Sequence, residues 1–176
     1  MRVRLAGIKV MSIFGKRCPS IRTKVLRFLI DMLNDEIDEV RIGALKGIAR
    51  FNQVQTLKEN EVETVLFNLK EDNFTLREGI YQFFSQTRIQ DIGLFMTLIE
   101  GLLDNLKRFP SQDQRLIFTL MNLLGKSHKH LITENYCQIF GIDKLYLPQS
   151  PPLEDMQYVA KFILVASAAK ALKPGQ

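Results

Sequence analysis

The sequence predicts an all-α solenoid, a right-handed superhelix of antiparallel helix pairs, on three observations. An arginine recurs at Val3-Arg4, Val40-Arg41, Leu76-Arg77 and Gln114-Arg115, at intervals of 37, 36 and 38 residues. Self-similarity of that period marks an array whose units bury their apolar faces only by stacking on their neighbours. Apolar residues recur at helical spacing between turn residues, with no Asn-Gly or Asp-Gly hairpin and no period-two run, so no strand is expected. Small residues follow the first three arginines (Ala6-Gly7, Gly43-Ala44, Gly79) and admit close helix approach, whereas Ile117-Phe118 at the fourth predict a different packing.

Residues 1–140 divide into four to five helix pairs, the first one incomplete. A helix over 2–16 carries Val3, Leu5, Ile8, Met11 and Ile13 or Phe14 near one face and stops at Gly15 and Pro19. Residues 21–33 repeat the spacing through Ile21, Val25, Phe28, Leu29 and Met32, and Asp38 is expected to cap a helix reaching Phe51. Gly43 and Gly47 in that helix each lower helicity by roughly 1 kcal/mol relative to alanine, which points to close packing. The next pair is 58–70 with 74–86. Asn73-Phe74-Thr75 matches a glycosylation sequon, but Asn73 reads as the cap of the second helix. The fourth pair is 89–108 with 112–125, divided at Phe109-Pro110-Ser111, with Ser111 as the expected cap. A fifth unit begins at about 131 and reaches Phe140. Residues 141–153, holding Pro148, Pro151 and Pro152, form the one long irregular connection, and Ser150-Pro151 within it is a candidate phosphorylation site. Residues 154–176 are a final alanine-rich helix and tail.

Composition narrows the class. The cysteines, Cys18 and Cys137, lie too far apart in a linear stack for a disulfide, which favours a reducing, intracellular setting. No signal-peptide pattern and no apolar run of roughly 18 residues is present, so the chain reads as soluble. The net charge of +5 is local: eight Lys or Arg and no acid fall within residues 1–30, and the remainder has 16 bases against 19 acids.

Each recurrent arginine, Arg4, Arg41, Arg77 and Arg115, lies about one turn into the second helix of its unit, where the helix dipole disfavours a cation. A compensating partner is therefore expected among Asp35, Asp38, Asp72 and Asp113 or the terminal carbonyls of a first helix. A planar guanidinium can bridge two such groups and so build a structural ladder along the stack.

Paired helices with Asp-x-Val-Arg near the start of the second resemble the HEAT-repeat family. Asp31 through Arg41, then Leu76-Arg77-Glu78, Asn105 through Pro110, Leu124 through His128 and Tyr158-Val159-Ala160, are similar in order to the HEAT region of the Integrator complex subunit four family. The resemblance implies a nuclear, non-enzymatic scaffold supporting Integrator endonuclease subunits nine and eleven in RNA 3′-end processing and termination. It also implies a partial chain that starts mid-repeat. That family's cleavage module binds inositol hexakisphosphate, which makes an inositol polyphosphate a candidate ligand and leaves the chain without a cofactor of its own. HEAT repeats also occur in transport and coat adaptors, the alternative class.

Catalytic and metal motifs fail on inspection. Gly125-Lys126-Ser127 lacks the glycine a phosphate loop needs, since Leu120 stands there, and His128, His130 and Cys137 fit no metal spacing. The feature with binding potential is the basic cluster Arg2, Lys9, Lys16, Arg17, Arg22, Lys24 and Arg27, suited to an acidic partner surface, an inositol polyphosphate or RNA phosphates. Phe14 and Phe28 are assigned to the core, which leaves no base-stacking platforms and argues against sequence-specific RNA reading. With no helix before it, the first helix is expected to leave Leu5, Ile8 and Met11 partly exposed, making the isolated chain marginally stable or self-associating.

Overall fold

The structure, a computed structural model, describes residues 1–51, 55–141 and 154–172, and Gln55 only in its backbone. The predicted connection 141–153, with Ser150-Pro151, lies outside the described residues except for Gly141, and so does the tail beyond Leu172. Among the described residues the chain is all-α, with ten α-helices. The chain divides into two compact units, Met1–Thr87 and Arg88–Gln176.

The first unit contains α1 (Arg2–Arg17), α2 (Arg22–Asp31), α3 (Asp38–Ala49), α4 (Glu59–Phe67) and α5 (Phe74–Ser85). Short 3₁₀ turns at Met32–Asn34 and Asn68–Lys70 extend α2 and α4. Helix α3 packs against both α1 and α5, and α2 packs against α4, so second helices stack on second helices and first on first. This is the arrangement expected when each unit covers the apolar face of the next. Val25, Leu29, Leu33, Val40, Ile80 and Phe84 form its core, each worth about 1.5–3 kcal/mol by burial.

Glycines set the closest approach. A Cβ on Gly47 would collide with the Ser12 hydroxyl, and one on Gly43 would lie 3.0 Å from Leu5 Cδ2. Leu5 and Met11 are half-buried, as expected, but Ile8 is only 3% exposed, because Gly47 of α3 admits it. The exposed large apolar residues of α1 are Val3 (85%), Val10 (50%), Ile13 (42%) and Phe14 (50%), so Phe14 does not belong to the core.

Local chemistry also moves two caps. Ile37 occupies the cap of α3 with extended backbone while Asp35 Oδ1 accepts from its N–H at 3.0 Å; Asp38 is the first helical residue. Asn73 does cap α5, accepting from Leu76 N–H at 3.2 Å. Two-residue strands, β1 (Gln55–Thr56) and β2 (Thr87–Arg88), pair although no strand was expected. They are too short to carry a period-two signal.

The second unit contains α6 (Ile92–Arg108), α7 (Pro110–Ser127), α8 (Lys129–Glu134), α9 (Tyr136–Phe140) and α10 (Met156–Leu172). Pro110 opens α7, as suits a residue without an N–H, so Ser111 lies inside the helix and is not the cap. The unit expected from about 131 to Phe140 consists of the short helices α8 and α9, divided at Asn135, and Gly141, with φ 66°, ends α9. Helix α10 packs against α7 and α8 through Ala160, Leu164 and Ala168, all fully buried. The approach is tight because Gly125 of α7 meets the Leu164 carbonyl where a Cβ would stand. The Ser167 hydroxyl donates to Asn122 Oδ1 at 2.9 Å, and Gln157 Nε2 donates to the Leu103 carbonyl at 3.0 Å.

Candidate functional site

Two sets of polar residues were singled out by sequence, and the structure treats them differently. The arginines of the first unit turn toward the bends between helices. Arg4 Nη1 lies 3.0 and 2.9 Å from the two oxygens of Asp35, whose carboxylate also receives the Ile37 N–H. Arg41 pairs closely with Asp38 across one helical turn and donates to Asn68 Oδ1 at 3.3 Å, with Glu71 at 3.6 Å. Arg77 is fully buried and donates to the Glu71 carbonyl at 2.9 Å, its guanidinium lying 5.8 Å from the Phe74 ring centre. Asp72 is exposed, and the Glu71 side chain and carbonyl make these contacts instead.

Asp38 links neighbouring pairs. One oxygen meets Arg41, and the other accepts from Asn73 Nδ2 at 2.6 Å, joining the start of α3 to the cap of α5. These two hydrogen bonds, Arg41 first, hold the Asp38 carboxyl below its usual range.

Arg115 differs. It is exposed, lines an open groove with Phe118, Asn122 and Ile163, and its guanidinium bonds to no described residue. The cause is the start of α7. Arg41 and Arg77 are the fourth residues of α3 and α5, but Pro110 opens α7 early enough to make Arg115 the sixth. Two extra residues rotate a side chain by about 200° around the helix. Asp113 occupies the fourth position, fully buried, and accepts from Asn105 Nδ2 at 3.0 Å. The repeated position thus changes charge between the units.

Sequence reasoning passed over the asparagines. Asn68 and Asn105 stand 37 residues apart, the arginine period, and both are buried at the end of a first helix beside that fourth position. Their spacing was the available signal. His128, which fits no metal spacing in the sequence, has a structural place instead. It is buried, accepts from Ile89 N–H at Nε2 (2.9 Å), and places Nδ1 3.2 Å from the Leu124 carbonyl and 2.8 Å from the Ser127 hydroxyl. Burial, chiefly, holds its pKa below the usual histidine value, and Arg88 acts in the same direction. Among the described residues no three of His, Cys, Asp and Glu are grouped as metal ligands.

The basic cluster divides by role. Arg22 is half-buried and donates through Nε to the Gly15 carbonyl at 2.9 Å and through Nη2 to the Lys16 carbonyl at 3.4 Å, closing the end of α1. Arg27 Nε lies 3.3 Å from Glu61, whose other oxygen accepts from the Lys58 N–H at 2.8 Å. Arg2, Lys9, Lys16, Arg17 and Lys24 are exposed, and none forms a salt bridge with a described residue.

Paired helices with their buried polar side chains committed to inter-helix turns define an all-α protein of the helical-repeat class. No protein-family model matches the chain. It is 30% identical over 169 residues to Integrator complex subunit 4 of Homo sapiens, and 28% identical over 174 residues to that of Drosophila melanogaster. The Integrator complex subunit 4 homolog of Dictyostelium discoideum is 25% identical over 168 residues. These alignments cover 96%, 99% and 94% of this chain but 17%, 17% and 13% of the relatives. The chain is therefore homologous, along nearly all its length, to one segment of Integrator complex subunit 4. Among the described residues no helix is long and apolar enough to cross a membrane.

Proposed function

We propose that this chain is a non-enzymatic scaffold segment of the Integrator complex, built as a HEAT-repeat solenoid and acting in the nucleus. In this reading it supports the RNA endonuclease module, subunits nine and eleven, during small nuclear RNA 3′-end processing and transcription termination. Similarity to Integrator complex subunit 4 along 96% of the chain carries the reading. The turn-bridging arginines support it. They spend Arg4, Arg41 and Arg77 on holding helix pairs in register and leave the exposed cations of residues 1–30 available to a partner.

The test is affinity purification of the tagged chain from its native cells, read by mass spectrometry. Subunits nine and eleven are expected in the eluate. Recovery of transport or coat components in their place would favour the adaptor class. The control reverses Lys16, Arg17 and Lys24 to glutamate and leaves Arg22 alone, because Arg22 holds the end of α1.

A second reading, anion binding, draws on the five exposed cations without an ion pair. It takes RNA phosphates or an inositol polyphosphate as ligand, without reading base sequence.

A further inference from the structure

Lys-Arg-x-Pro-Ser occurs twice, as Lys16 through Ser20 and as Lys107 through Ser111, each time at a bend between two helices. The fold accounts for most of the motif. Cations are stabilised at the end of a helix, and proline suits the start of the next turn, where its missing N–H costs nothing. The fold does not use the first serine. Ser20 is exposed and its hydroxyl bonds to no described residue, whereas those of Ser12, Ser85, Ser127 and Ser167 all donate to a partner. The surroundings of Ser20 are cationic. Lys16 and Arg17 end α1, Lys24 lies in the first turn of α2, and all three are exposed without a salt bridge among the described residues. No acid stands in that first turn and no side chain caps it, so the positive end of the helix dipole adds to these charges. Ser111 differs: Asp113 lies in the first turn of α7, Arg108 interacts within the fold, and Gln112 follows the serine where Ile21 follows Ser20.

We propose that Ser20 is a phosphorylation site for a basophilic serine kinase, one that reads the arginine three residues before its target, and that the surrounding cations then hold the phosphate. Arg17 and Lys16 supply the charge pattern such a kinase recognises. Cys18 is already extended, and the turn beyond it is closed by a long bond from the Ile21 N–H to the Cys18 carbonyl, 3.3 Å, so the segment opens to a kinase without unfolding either helix. In the transfer the bond from the γ-phosphorus of ATP to its bridging oxygen breaks as Ser20 Oγ bonds to that phosphorus. The hydroxyl proton passes to the kinase's catalytic carboxylate, and ADP leaves. The phosphate brings a charge of about −1.5 to −2 beside Lys16, Arg17 and Lys24, which orders the bend and cancels most of its positive charge. An adjoining helix pair would not cover this place. The corresponding bend after α3, which has α1 on one side and α5 on the other, still exposes Thr56 and Lys58, because bends lie at the edge of a stack and not on its packed faces. The site stands independently of which assembly the chain joins.

Two samples test it by mass spectrometry of their digests: the chain purified from its native cells with phosphatase inhibitors present, and the whole recombinant chain incubated with ATP and a basophilic kinase. Both are expected to carry a phosphate on Ser20. In the recombinant reaction Ser20→Ala should remove the label, Arg17→Ala should slow it at least about tenfold by deleting a charge-assisted contact to the kinase, and Ser111 should label more slowly than Ser20. If Arg17→Ala fails to fold, Arg17→Lys keeps the comparison, since it retains the charge but not the planar two-pronged donor. Urea unfolding of the phosphorylated chain should have a higher midpoint than that of the unmodified chain, by an amount that shrinks as salt is raised. Absence of phosphate on Ser20 in the native sample, undiminished labelling of the Arg17 variants, or equal labelling of Ser111 would overturn the proposal. So would an unchanged or lower midpoint, which would mean that the cations do not hold the phosphate.

Discussion

At the scale of single residues, helix position rather than residue type decides which polar groups hold the fold. Asp113 and Arg115 are two residues apart, yet one is fully buried and bonded to Asn105 and the other lies in solvent. Asp113→Ala should lower stability by roughly 2–3 kcal/mol by stranding a buried amide, whereas Arg115→Ala should stay within about 0.5 kcal/mol. Urea unfolding of both variants measures the difference, and equal effects would refute this account of the repeat. His128 gives a second prediction, with a sign. Its Nε2 accepts from a backbone N–H, so a second ring proton would set donor against donor at Ile89. The folded-state pKa lies below the ordinary 6.5. The unfolded chain therefore binds the proton more readily, and stability present above pH 6.5 is lost as pH falls through the folded value. Thermal unfolding should shift to lower temperature on acidification across that range. His128→Gln, which can still accept from Ile89, should flatten this dependence.

At the scale of elements, the glycines separate two kinds of helix surface. Gly47 is a contact point between α1 and α3, and Gly47→Val should cost about 1–3 kcal/mol by forcing Ser12 and Ile8 away. Gly7, on the open side of α1, should do the reverse. Gly7→Ala is expected to stabilise by up to about 1 kcal/mol through helix propensity alone. Chemical denaturation of the pair checks both, and a destabilising Gly7→Ala would mean that this face is already covered. The existence and order of α1 to α7 were legible because apolar residues recur at helical spacing in each. The ends were less so. Asp38 and Ser111 are good capping residues by type, but Ile37 has the extended backbone and Pro110 the preset φ, and backbone geometry outranks side-chain preference.

At the scale of the whole chain, charge is concentrated in residues 1–30, and the fold subdivides it. Of the seven cations assigned to the patch, Arg22 and Arg27 are engaged with the fold, which leaves Arg2, Lys9, Lys16, Arg17 and Lys24 exposed. Binding of single-stranded RNA through these five should show a log–log salt slope no steeper than about −3.5. Filter binding across a salt series measures it, and reversal of Lys16, Arg17 and Lys24 should flatten the slope to about −1.4. A steeper slope would mean that cations outside this region take part.

The sequence by itself determined the all-α class, the order of the long helices and the period of the arginines, because these follow from local spacing of apolar, small and turn residues. Only the tertiary structure decided which face of α1 is buried and which arginines find partners. The first depends on residues distant in the chain, and the second on where each helix starts. The α3 glycines draw Ile8 and Ser12 inward and leave Val3 and Phe14 outside. The early start of α7 turns Arg115 to solvent and puts Asp113 in the buried place, a rotation that no count of residues between arginines can register.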